Sequence, residues 1–86
     1  MSDSETVVKV LLFGAAADLA GVRETKLAPP ENGSLGALWE TLAGEYPKLS
    51  PMRETLAFAV NGEYATAEAR VSSGDEVAVL PPVSGG

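Results

Sequence analysis

Glu76-Val77-Ala78-Val79-Leu80-Pro81-Pro82, residues 76–82, is the stretch on which the fold turns. Val77 and Val79 alternate with their neighbours at the two-residue period of a strand. Ser72-Ser73-Gly74-Asp75 ahead of it is turn chemistry. Pro81 and Pro82 end it, because proline has no N–H with which to continue a ladder. At the other end of the sequence, Val7 to Phe13 reads Val-Val-Lys-Val-Leu-Leu-Phe and is bounded by Gly14. These are the two most apolar strands, so they are expected at the centre of a sheet.

Working inward, Ala15 to Gly21 reads either as a turn or as a helical turn ending in glycine, and Arg23 to Leu27 as a second strand. Pro29, Pro30, Asn32 and Gly33 then punctuate the chain. Ser34 is an N-cap for a helix running to about Tyr46, without the acidic residue three positions on that would complete a capping box. Leu35, Leu38, Leu42 and either Trp39 or Tyr46 form one apolar stripe at helical spacing. Pro47 stops the helix, and Lys48 to Thr55 is a loop or a turn of helix. Leu56 to Val60 is a strand, Asn61-Gly62 a two-residue hairpin turn, and Glu63 to Ala67 the returning strand. The order is strand, strand, helix, strand, strand, strand. It predicts an α+β domain with a mixed five-stranded sheet and one main helix packed on one face.

The 86 residues suffice for one domain with a single modest core and leave little room for a deep enzyme pocket. There is no cysteine and no histidine. Thiolate nucleophiles, imidazole bases and thiolate metal sites are thereby excluded, and no metal site is expected. A net charge of −6 makes nucleic acid and anionic membranes poor partners. Met1 to Thr6 is short and acidic, unlike a signal peptide, and no apolar run approaches the roughly 20 residues of a membrane span. The expectation is a cytoplasmic protein with a disordered extension over residues 1–6, a domain over 7–82 and a flexible tail over 83–86.

The ending Pro81-Pro82-Val83-Ser84-Gly85-Gly86 carries the chemistry. With glycine at about 7% of residues, two in a row at a chain end arise by chance in roughly one chain in 200. The prolines hold φ near about −65° and project the segment away from the sheet. Six residues from Pro81 reach at most about 20 Å, enough to enter a partner's cleft. Gly85 and Gly86 have no side chain to block a narrow channel, and a Cβ at Gly86 would crowd the carbon under attack. On this reading Gly86 is the reacting residue, and Pro81, Pro82, Val83, Ser84 and Gly85 thread it into place.

Residues 74–86, together with Val8-Lys9-Val10-Leu11-Leu12-Phe13-Gly14 and the hairpin Ala59-Val60-Asn61-Gly62-Glu63-Tyr64, closely resemble the small, sulfur-carrying subunit of molybdopterin synthase. The resemblance implies a ubiquitin-like β-grasp fold. It further implies that an ATP-using, ubiquitin-activating-like adenylyltransferase adenylates the Gly86 carboxylate, and that sulfur replaces AMP to give a thiocarboxylate. The thiocarboxylate then gives its sulfur to a cyclic pyranopterin precursor in the large catalytic subunit of a heterotetrameric synthase, building the dithiolene that later binds molybdenum. The chain itself would bind no cofactor and turn nothing over, ATP being used by the activating enzyme. Two other roles fit the same ending: a β-grasp sulfur carrier for thiamine thiazole, tungsten cofactor or thionucleoside synthesis, and a ubiquitin-like protein modifier.

Strand parity locates a partner surface. Lys9, Leu11 and Phe13 share one face of the first strand, Glu76, Ala78 and Leu80 one face of the last, and Tyr64 lies opposite Ala59 across the hairpin. Phe13, Tyr64 and Leu80 are therefore expected together on the helix-free face, as an apolar patch where a polar face would be normal. In the resembling family these positions carry the contact with the large subunit. At Ala17-Asp18 the sequence departs from the arginine-glutamate pair of many relatives.

Overall fold

The computed structural model describes residues 7–81. The expected extension 1–6, Pro82 and the tail 83–86 lie outside the described residues. The elements are β1 (Val8–Leu12), α1 (Gly14–Ala20), β2 (Glu24–Leu27), α2 (Leu35–Glu45), a 3-10 helix (Pro47–Met52), β3 (Ala57–Val60), β4 (Glu63–Ala65) and β5 (Glu76–Leu80). The strands form one mixed sheet in the order β2-β1-β5-β3-β4. β1 and β5 run parallel, and the other pairs are antiparallel. The two most apolar strands do sit side by side inside the sheet, with β5 at its centre.

One face of that sheet is the core. Val8, Val10 and Leu12 of β1 and Val77 and Val79 of β5 pack against Ala16 of α1, Leu35, Leu38, Trp39 and Leu42 of α2, and Leu49 of the 3-10 helix. Among the described residues all the helices therefore lie on one side, and the other face carries none. Trp39 meets Phe58 edge-on at 5.4 Å between ring centroids, so it is a packing residue.

The start of α2 explains where β4 ends. Ser34 Oγ accepts the Ala37 N–H at 3.1 Å, as an N-cap should. The Leu35 and Gly36 N–H groups donate to the carbonyls of Ala69 and Ala67, at 2.8 and 3.0 Å. Those two carbonyls are thus drawn away from β3 to satisfy the helix, and β4 stops at Ala65, two residues short of the sequence expectation. β3 begins at Ala57 because the Leu56 N–H donates back to Met52 O at 3.1 Å. The connection left open between turn and helix is helical, closed by Gly21 at φ 79°, whose N–H donates to Ala17 O at 2.8 Å.

Asn61 and Gly62 have φ of 51° and 88°, the positive pair of a tight hairpin turn. Asn61 does more than turn. Its N–H donates to Glu76 O at 2.7 Å, its Oδ1 accepts the Glu76 N–H at 3.0 Å, and its Nδ2 donates to Asp75 Oδ1 at 3.2 Å. The hairpin is thereby pinned to the first residue of β5.

Candidate functional site

The helix-free face can be read as three rows across the strands. At one end Lys26, Lys9 and Glu76 stand side by side. The middle row runs Glu24, Leu11, Ala78, Ala59, Tyr64. Continuing the β1–β5 register by one residue places Phe13 beside Leu80, which pairs with Ala57. The face therefore passes from charged to apolar along the strand direction, and β5 leaves the sheet at the apolar end.

Exposure separates the three patch residues. Tyr64 is 74% exposed and Phe13 44%, whereas Leu80 is half-buried between its neighbours. The structure brings all three to one face but not into one cluster. Three inter-strand steps of about 4.8 Å set the β4 column about 14 Å from the β1 column. Ala57, Ala59 and Ala78 form a low floor between them, and half-buried Leu11 extends it. Sequence reasoning put Tyr64 beside Ala57 and Ala59, and Ala78 on the same face as Leu80, but it did not join these alanines into a floor between the rings. Its signal was there, since three alanines alternate with large core residues in β3 and β5. A partner's side chains can settle on the alanines between the rings.

The root of the tail adjoins this end. The Phe13 N–H donates to Val79 O at 3.1 Å, the last rung between β1 and β5. Pro81 cannot add another rung. Its ring instead lies over Gly14, the first residue of α1, which has φ 58°. A shallow cleft of about 570 Å³ beside this point is lined by Phe13, Gly14, Asp18, Arg23 and Glu24 among others. Pro82, Val83, Ser84, Gly85 and Gly86 fall outside the described residues.

Other features carry no chemistry. A cavity of about 280 Å³ opens between α2 and the β4 edge, with the core residues Leu35, Trp39 and Leu56 at its base and Arg53, Tyr64 and Thr66 among the residues around it. Asp75 is spent on its own turn, its Oδ2 accepting the Ser72 N–H at 2.8 Å. Arg53 pairs with Glu40 at 3.3 Å on the surface, an interaction worth under about 1 kcal/mol. Among the described residues no group of three or more acidic side chains could hold a metal ion, and no helix is long and apolar enough to cross a membrane.

The model of the ThiS family matches residues 10–86. The chain belongs to the ThiS family. The described ThiS-family domain is a ubiquitin-like β-grasp of the α+β class, with the five-stranded mixed sheet and the helix on one face. Two relatives are each named molybdopterin synthase sulfur carrier subunit. That of Arabidopsis thaliana is 37% identical over 83 residues, covering 96% of this chain and 86% of that protein. The Homo sapiens protein is 35% identical over 82 residues, covering 92% and 93%. Among solved structures, the small archaeal modifier protein 1 of Haloferax volcanii superposes with a TM-score of 0.81 at 26% identity, covering 91% of this chain and 99% of that one.

Proposed function

We propose that this chain carries sulfur in molybdenum cofactor biosynthesis, holding it as a thiocarboxylate on Gly86. The observation that carries the reading is the placement of the tail root: β5 runs through the middle of the sheet and leaves it at the apolar end of the free face, beside Phe13 and Leu80. A partner that covers those residues and Tyr64 receives the tail at its own edge. The relatives' shared name, sulfur carrier subunit of molybdopterin synthase, supports the same assignment.

The chemistry follows from what a carboxylate lacks. Its leaving group would be oxide, so it must be activated before sulfur can enter. A Gly86 carboxylate oxygen attacks the α-phosphorus of ATP on an adenylyltransferase and releases pyrophosphate. A hydrosulfide equivalent then adds to the acyl carbon, and AMP leaves with the C–O bond electrons, giving the thiocarboxylate. In the large subunit the thiocarboxylate sulfur attacks a carbon of the cyclic pyranopterin precursor and displaces an oxygen substituent, which leaves with the C–O bond electrons; water then cleaves the acyl C–S bond, leaving the sulfur on the pterin and returning the Gly86 carboxylate. The chain supplies the carrier atom, and its partners supply the catalysis, in the cytoplasm.

Reconstitution tests this. With an adenylyltransferase of the ubiquitin-activating type, ATP and a sulfur donor, the chain should release pyrophosphate and gain one sulfur, and a chain lacking Gly86 should do neither. Adding large subunit and precursor should then consume the thiocarboxylate. The likeness to an archaeal modifier protein favours a second outcome, an isopeptide from Gly86 to target lysines. Ladders of conjugates without thiocarboxylate in cells would select it.

A further inference from the structure

We infer that Gly14 is a positioning residue for the tail: the bare backbone at the start of α1 is the seat on which Pro81 rests, and it sets the direction in which the chain leaves the sheet toward Gly86. The inference rests on the carrier reading above and names a residue that reading does not use.

The β1–β5 ladder makes its last rung at Phe13 N–H to Val79 O, 3.1 Å. Beyond it Pro81 has no N–H, so side-chain packing must hold what the ladder cannot. A Cβ built on Gly14 would stand 3.2 Å from Pro81 Cγ and 3.4 Å from its Cβ. The first of these is tighter than side-chain carbons normally tolerate, so the ring fills the space that a side chain would take. Pro81 is itself a stiff unit with a fixed φ, so a displaced ring carries with it the backbone at the root of the tail.

Position matters here more than affinity. Phe13 precedes Gly14 directly, and Leu80 precedes Pro81 directly. The docking patch and the tail root are thus joined at one glycine. A partner that grips Phe13 and Leu80 holds the chain at the point where the tail begins, and a displacement of about 1 Å at a reacting group can cost about 100-fold in rate. Gly14 also has φ 58°, where alanine is strained but asparagine is tolerated. This separates the two roles. If backbone strain alone mattered, Gly14→Asn would behave better than Gly14→Ala; if the seat matters, both Cβ atoms displace Pro81 alike.

The test is adenylation kinetics read by pyrophosphate release, with an NMR measurement of the unreacted chain. In the wild type, NOEs should connect the Gly14 α-protons to the Pro81 ring. Gly14→Ala and Gly14→Asn should each lower kcat by about 10-fold or more below their melting temperatures, with KM within about two-fold because the docking face is untouched. Pro81→Ala, at an exposed site that does not threaten folding, should also lower kcat. The double variant Gly14→Ala/Pro81→Ala should be no slower than the worse single variant, since both changes remove one contact. Wild-type kcat in either folded Gly14 variant, multiplying effects in the double variant, or missing NOEs would overturn the seat. A wild-type chain that releases no pyrophosphate defeats the carrier reading, and this inference with it.

Discussion

Tyr64 and Asn61 sit three residues apart in one hairpin and do opposite work. Tyr64 is 74% exposed over alanine neighbours and contributes little to the fold, so its ring is free for a partner. Tyr64→Asp should change stability by no more than about 0.5 kcal/mol. It should weaken binding to the large subunit by about 10-fold or more, as loss of an interfacial aromatic anchor does. Calorimetry of the two purified chains, after a thermal melt of the variant, checks both halves. Asn61 is structural. It combines positive φ with three hydrogen bonds to Asp75 and Glu76. Asn61→Ala should cost about 1–3 kcal/mol by denaturant titration and leave partner binding intact at low temperature. The sequence reading took Asn61-Gly62 as a turn only. Its bonds to the start of β5 depend on strand order, which a local motif does not encode.

Among the elements, α2 holds the sheet's edge as well as its core. Its first four N–H groups all find partners: Ala69 O, Ala67 O, Ser34 Oγ and Ser34 O. Ser34→Ala removes one of these and should lower stability by about 1 kcal/mol, measured by urea titration. Hydrogen exchange should speed up at Ala37, the amide that loses its acceptor. The cap, the helix and the boundaries of β5 were legible because each depends on residues near one another in sequence. The end of β4 was not, since it is set by α2 claiming the carbonyls of Ala67 and Ala69 across about thirty residues of chain. The 3-10 helix at Pro47–Met52 was open to either reading for a related reason. Pro51 lies inside it, and buried Leu49 anchors it to the core.

At the scale of the whole molecule, the tail root adjoins the apolar end of the free face. The charged row Lys26, Lys9, Glu76 lies far from the tail root, and Phe13, Leu80 and Gly14 lie beside it. Strand parity was enough to place Phe13, Tyr64 and Leu80 on the free face, because a half-buried sheet fixes side-chain direction at every second residue. It also turned Ala57, Ala59 and Ala78 to that face, but it could not show that they adjoin as one floor, or that Pro81 rests on Gly14. Those facts require strand order and register. What remains is the chemistry of Gly86 itself, and the intact mass of the chain isolated from its native host addresses it directly. The account predicts a population in which one oxygen is exchanged for sulfur, localised by fragmentation to Gly86. A chain that carries only the unmodified carboxylate while its activating enzyme is present, or only isopeptide bonds to lysine, would contradict it.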